Sequence, residues 1–293
     1  MGNLYLVATP IGNLEDITAR ALRILGDVPL IAAEDTRHTG QLLRHFGLST
    51  PLVSYHAHNE RSRRKELISH LADADLALVS DAGSPGISDP GYDLIRAAID
   101  AGRTVIPIPG PSAVIAAATA SGLVRGPFLA VGFLPRRGRE RAVALSRVAA
   151  AGVPVVLFES SERLSTTLHD LAAVLGDRPT TVMRELTKMH EEARYGSLGE
   201  LAAVYATPPR GEVVVVVGGD DRVHDDQTDV EQVVMSLVQS GLAPSHVARE
   251  AAAITGRPRS ELYELARHLG SSGSSDGQVT GPSAAASATG RGR

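Results

Sequence analysis

The chain has 293 residues, 43% hydrophobic and 21% charged, which supplies a sizeable core and argues against disorder along its whole length. It contains no cysteine, so disulfides, thiolate metal sites, iron–sulfur clusters and a cysteine nucleophile are excluded. A formal net charge of −4 excludes a global electrostatic grip on nucleic acid, and any such binding must rest on local basic patches.

The N-terminus, MGNLYLVATPIGN, has no basic segment followed by a long apolar run, and no stretch reaches the roughly 18 apolar residues of a membrane span. A soluble, cytoplasmic protein with no membrane partner is expected. Short apolar runs predict strands at 3–8, 29–33, 76–80, 104–107 and 128–133, and helical spacing of apolar residues predicts a helix over 17–25. Strand, helix and strand in succession predict an α/β fold with a parallel sheet covered on both faces, whose ligands lie beyond the carboxyl ends of the strands.

Three Gly/Pro-rich loops fall at those ends. TPIGN (9–13) follows the first predicted strand, SDAGSPGISDPG (80–91) the third and PGPSA (109–113) the fourth. Each alone is explained by turn and capping needs, and together they predict a pocket. The first loop is not G-x-G-x-x-G, and no G-x-x-x-x-G-K-[ST] occurs, which disfavours ordinary dehydrogenases and P-loop enzymes. Glycine admits close approach of backbone and proline fixes a loop without an unpaired N–H, so these turns suit an adenosine-like ligand held through main-chain groups. Asp81 is either a ribose acceptor or an Asx-turn residue. Ser112 and Ala113 open an apolar helix whose positive end favours a carboxylate, and Ser112 also suits an N-cap.

EDTRHT (34–39) and YHAHNERSRRK (55–65) are read as polar loops facing the substrate, contributing Glu34, Arg37, His56, His58, Asn59 and Arg61. The two histidines lack any usual zinc spacing, and no metal is expected. Basic clusters at Arg61, Arg63, Arg64 and Lys65, and at Arg136, Arg137, Arg139 and Arg141, are either solvated helix faces or contacts for substrate phosphates. GFLPRRG (132–138) is read as a hinge between α/β domains at 1–133 and 138–220. In the second, a basic helix, strands near 153–159, 180–184 and 212–218, a short segment at 194–197 and a helix over 163–175 are predicted. FESSER (158–163) and RELTK (184–188) place charges after strands, with Lys188 and Glu185 either touching substrate or forming an interdomain ion pair. Amphipathic helices at 230–238, 246–254 and 261–269 predict a helical extension over 228–270, and the Ser/Gly/Ala-rich 271–293 a disordered tail.

The ordered set YLVATPIGNLEDIT, AAEDTR, SYHAHNE, VSDAGSPGISDPG, PIPGPSA, GFLPR, FESSERL, RELTK and GEVVVVVGG resembles the tetrapyrrole-methylase superfamily, and within it the ribosomal RNA small subunit methyltransferase I branch, over residues 3–218. The helical tail is similar to that branch's extension. One departure is Ser161-Glu162, where the branch usually carries Pro-His. The resemblance implies a homodimeric enzyme that uses S-adenosyl-L-methionine to methylate the ribose 2′-hydroxyl of a cytidine in 16S rRNA, acting on that RNA or on the small ribosomal subunit. It places the cofactor in a cleft between the α/β domains, against Pro10, Ile11, Gly12, Asp81, Ala82, Gly83, Ser84, Ser112, Ala113, Phe158 and Glu212. Lys188 and Glu185 are the candidates for the base or cation that eases deprotonation of the hydroxyl, with Glu34, Arg37, His56, His58, Asn59, Arg61 and Arg136 on the substrate side. Two alternatives are a methyltransferase for a small tetrapyrrole, which an arginine-lined cleft would also accept, and a non-catalytic nucleic-acid-binding regulator using 242–245 as the turn of a helix-turn-helix.

Overall fold

A computed structural model describes residues 1–87, 89–220 and 227–272. The predicted tail beyond 272 and most of the acidic run at 220–229 lie outside the described residues. Residues 1–220 make one compact unit, and the helices that follow belong to a second.

The first half alternates β1 (Leu4–Val7), α1 (Ala19–Asp27), β2 (Ile31–Ala33), α2 (Thr36–His45), β3 (Leu52–Ser54), α3 (Glu60–His70), β4 (Leu76–Val79), α4 (Tyr92–Asp100), β5 (Val105–Ile108) and α5 (Ala113–Ala120). Its five strands are all parallel, in the order β3-β2-β4-β1-β5. Alternate residues along the strands enter two cores. Val7, Ile31, Ala33, Ala77 and Val79 pack with α1 on one face, while Leu4, Ala32, Leu76 and Leu78 pack with α3 and α4 on the other. Burial on both faces is why these strands are continuous apolar runs.

The second sheet is mixed. It is built from β6 (Leu129–Phe133), β7 (Val155–Glu159), β8 (Pro179–Arg184), β9 (Glu192–Ser197) and β10 (Val213–Val217), with helices α6 (Gly138–Ala151), α7 (Leu164–Leu175) and α8 (Leu198–Val204). The order is β6-β7-β10-β8-β9, with only β6 and β7 parallel. The five valines of β10 show the packing. Val213, Val215 and Val217 face α7 and α8, whereas Val214 and Val216 face Ala117 and Ala118 of α5. So α5, although it follows the first sheet, is the cover of the second.

Three expectations change. The strand at 128–133, expected in the first sheet, is β6 of the second, because after α5 crosses the chain finds its open edge at β7. The segment 55–65 is not one polar loop: β3 was missed, and Glu60–His70 is a helix, anchored by a single buried leucine, Leu67, under an otherwise polar surface. Arg141 is not part of an exposed basic cluster. Its guanidinium is buried and bonded to Asp170, Thr167 and the Pro135 carbonyl.

The second unit contains α9 (Gln227–Gln239), α10 (Pro244–Thr255) and α11 (Arg259–Ser272), packed around Val234, Val247, Ala251, Leu262 and Ala266. No described helix is long and apolar enough to cross a membrane.

Candidate active site

In the first sheet β1 and β4 are neighbours, yet the chain leaves β1 towards β2 and β4 towards β5, so their loops diverge and open a crevice. The loops are tied at its base, where Thr9 and Gly83 exchange backbone hydrogen bonds of 2.9 and 3.0 Å. The Thr9 hydroxyl donates to the Ser80 carbonyl at 3.1 Å. Gly83 adopts φ +76°, a left-handed conformation that lets the loop turn back with no side chain in the way. The third loop ends at Ser112, which caps α5 by accepting the Ile115 N–H. The first N–H groups of that helix have no intrahelical acceptor and present positive partial charge.

A cavity of about 860 Å³ opens here between the two sheets. It brings together Ile11, Ala82, Gly83, Ser84, Ser112, Ala113, Phe158 and Glu212 of the sequence-predicted cofactor residues. Sequence reasoning named Phe158 but missed the rest of its aromatic wall, in which the Phe133 and Phe158 ring centroids lie 5.5 Å apart beside Phe128. It also missed Asp89 and Glu159. Burial, reinforced by the charge of Glu34 and Asp81 and opposed by a Ser80 hydroxyl, pushes the Asp89 carboxyl up to about 6. Glu159 is ionically held by Arg163 at 2.5 Å and accepts the Thr167 hydroxyl at 2.6 Å. A buried acid is hard to foresee from a strand end, since only the fold supplies its partners.

Pro10, Gly12 and Asp81 line a different, adjoining groove of about 650 Å³, together with His38, Gln41, His45 and Lys188. The two spaces share Ile11, Ala82 and Glu212. Asp81 Oδ1 accepts the Asp35 N–H at 3.0 Å, pinning the loop after β2 to the loop after β4.

RELTK forms a strained turn against this groove. Glu185 and Thr187 have φ of +51° and +67°, which non-glycine residues adopt at a cost. The strain is offset by contacts: the Thr187 hydroxyl accepts the Asn13 N–H at 3.1 Å, and Glu185 accepts the Glu212 N–H at 3.0 Å. Lys188 Nζ donates to Glu185 at 3.0 Å and to Glu212 at 2.9 Å. Burial lowers the basicity of Lys188, but its bonds to the two carboxylates outweigh this and raise its pKa. The Glu212 N–H and the Lys188 ammonium hold the Glu185 carboxyl below its ordinary range. Lys188 is therefore a fixed cation, and Glu185 a fixed anion.

The predicted substrate-side residues do not line either space. Glu34 accepts the Asp81 N–H at 3.4 Å, and burial raises its pKa. Arg37 is bonded to Asp35, whose carboxyl this contact holds at about 2. Asn59 is spent on the turn before α3, accepting the His56 N–H and donating to the Ser54 carbonyl. His56 and His58 meet edge to face at 5.9 Å. Arg61 and Arg136 are exposed.

A parallel sheet with a crevice at its strand reversal, joined through α5 to a mixed sheet across one cavity, is the arrangement of the tetrapyrrole (corrin/porphyrin) methylases, whose family model matches residues 3–202. The chain belongs to that family. Among its relatives, a Synechocystis protein called ribosomal RNA small subunit methyltransferase I is 47% identical over 93% of this chain and 100% of its own length. One of the same name from Escherichia coli O157:H7 is 43% identical over 90% of this chain and 94% of its own. The fold is shared with the methyltransferase CobJ at TM-score 0.58 and 19% identity, covering 75% of this chain and 95% of that one. It is also shared with a Thermus thermophilus uroporphyrin-III C-methyl transferase complexed with S-adenyl homocysteine, at TM-score 0.54 and 21% identity, covering 76% and 100%.

Proposed function

We propose that the chain uses S-adenosyl-L-methionine to methylate the 2′-hydroxyl of a cytidine ribose in small-subunit ribosomal RNA. The observation that carries this reading is the pair of adjoining spaces sharing Glu212: one apolar and aromatic with main-chain walls, the other polar and beside Lys188. The names of the 41–47% identical relatives supply the RNA.

The larger cavity fits the cofactor. Phe128, Phe133 and Phe158 would cover an adenine, the main chain around Gly83 would approach the ribose, and the N-terminus of α5 would receive a carboxylate. When bound, it supplies an electrophilic methyl group. The residues of this chain contribute alignment and charge: the Thr9–Gly83 clasp and the strained 185–188 turn fix the two walls, and closing out water leaves the hydroxyl oriented for an in-line approach. The Lys188 ammonium favours the developing alkoxide. The carboxylate of Glu212, on the shared rim, takes the hydroxyl proton. Glu185 holds Lys188 in place. A homodimer working in the cytoplasm completes the reading.

Incubation with labelled S-adenosyl-L-methionine and either small ribosomal subunits or a precorrin-type tetrapyrrole tests it. Label on a cytidine ribose, located by mass spectrometry of rRNA fragments, is the expected result. Label in the tetrapyrrole alone overturns it, and sedimentation of the full chain as a monomer removes the dimer.

A further inference from the structure

We infer that the polar groove beside α2 is where the acceptor's nucleobase is held, and that His38, Gln41 and His45 read it. This rests on the proposed RNA reaction and assigns its specificity to three residues of which only His38 falls within a segment that the sequence pointed to, 34–39.

These three residues sit at i, i+3 and i+7 of α2, which places them in one stripe along the helix, and all three are exposed. The far face of α2 is anchored by buried Leu43, and buried Leu42 forms part of the groove floor beside the stripe, so the stripe is held on a rigid element rather than on a loop. Across the groove stand Pro10, Gly12 and Leu14, the last 38% exposed, giving a small and partly apolar wall of a kind that contacts the flat face of a base. At about 650 Å³ the space is within the range of sites for small ligands, roughly 300–1,000 Å³.

The chemistry of the stripe suits a pyrimidine and not a phosphate. A glutamine amide offers both an acceptor and donors, and a neutral imidazole offers one of each, which together match an edge carrying an amino donor beside ring-nitrogen and carbonyl acceptors. Single-stranded bases are read on such edges and stacked on rings such as histidine. The basic side chains of α2, Arg37 and Arg44, do not line the groove, and Arg37 is already bonded to Asp35. Glu212 lies at the end shared with the larger cavity, with Lys188 bonded to it on the groove side, so a base against α2 sets its own ribose towards them.

The test has two arms. In the first, histidine ring resonances of the full-length protein are followed by NMR as cytidine monophosphate is added. His38 and His45 are expected to shift while His56 and His58 stay still, whereas shifts confined to other histidines, or none at all at saturating nucleotide, overturn the assignment. In the second, Gln41→Ala and the triple variant H38A/Q41A/H45A are compared with wild type on small subunits. The expected result is a loss of about tenfold or more in kcat/KM, concentrated in KM, and methyl groups appearing on other bases, with calorimetric affinity for S-adenosyl homocysteine unchanged. Wild-type kinetics and target choice in the triple variant overturn it. If wild type methylates no RNA, the functional proposal falls while the resonance arm still decides the groove.

Discussion

The two walls of the site recognise by different means. The wall from the first sheet is main chain: Pro10 to Gly12, Gly83 and the start of α5 offer carbonyls, N–H groups and close approach, with few committed side chains. The wall from the second sheet is side chains: the rings of Phe133 and Phe158, and charges locked to one another in the Lys188–Glu185–Glu212 triad and in Glu159 with Arg163 and Thr167. The difference teaches that the first wall tolerates changes of side-chain chemistry but not added volume at its glycines. The second does not tolerate loss of a charge.

Substitutions can break or sharpen that contrast. The largest effect is expected at Glu159, whose side chain is fully buried against Arg163 and Thr167. Glu159→Ala leaves a guanidinium with no counter-charge and should cost about 3 kcal/mol of unfolding free energy, read by denaturant titration. A cost under about 1 kcal/mol would show that this wall is not held by its charges.

Next comes Lys188→Ala, expected to lower kcat by about 10²-fold with KM little changed, because the ammonium acts on charge that develops during the reaction. An equal loss confined to KM would move Lys188 to substrate binding.

On the other wall, a Cβ at Gly12 would stand 2.5 Å from Lys188 Cγ and 2.8 Å from the Thr187 hydroxyl oxygen. Gly12→Ala should therefore push the 185–188 turn aside and lower turnover roughly tenfold, with stability nearly unchanged. The neighbouring Pro10→Ala, which removes volume, should have a smaller effect. Reversal of that order would refute recognition through main chain.

The smallest effect is expected at Asp89. Its carboxyl is raised to about 6 from 3.8 by burial, with Glu34 and Asp81 adding to the shift, so the folded state holds its proton more tightly than the unfolded chain does. Stability from this group is present below about pH 4 and is lost as pH rises towards 6. Asp89→Asn should raise the melting temperature slightly at pH 8 and leave it unchanged near pH 4. The same increment at both values would mean that burial does not set this titration.

Much of the first half was legible. Predicted strands at 3–8, 29–33, 76–80 and 104–107 correspond to β1, β2, β4 and β5, since strands buried on both faces need unbroken apolar runs that turn residues then interrupt. The three tail helices appeared near their expected places, α9 to α11, because each carries an apolar stripe at helical spacing. β3 escaped because its three residues are only half-buried at the sheet edge, and α3 because its hydrophobic face reduces to Leu67. In the site, the Gly/Pro loops announced themselves through their backbone demands. The histidines of 55–65 drew attention by composition alone, and the fold set them away from both cavities, while 34–39, expected to be a polar loop, is from Thr36 the start of α2, whose stripe the sequence pattern did not show.

By itself, then, the sequence determined the alternation of strands and helices, the turns that needed glycine or proline and, through its ordered motifs, the family. These are set by local dihedral preferences and by the periodicity with which apolar residues must be buried. Tertiary structure alone decided that β6 joins the second sheet, that α5 covers it, that Lys188 lies between two carboxylates and that Asp89 is raised. Each depends on groups far apart in the chain meeting at a few ångströms, where packing and electrostatics act and sequence spacing carries no information.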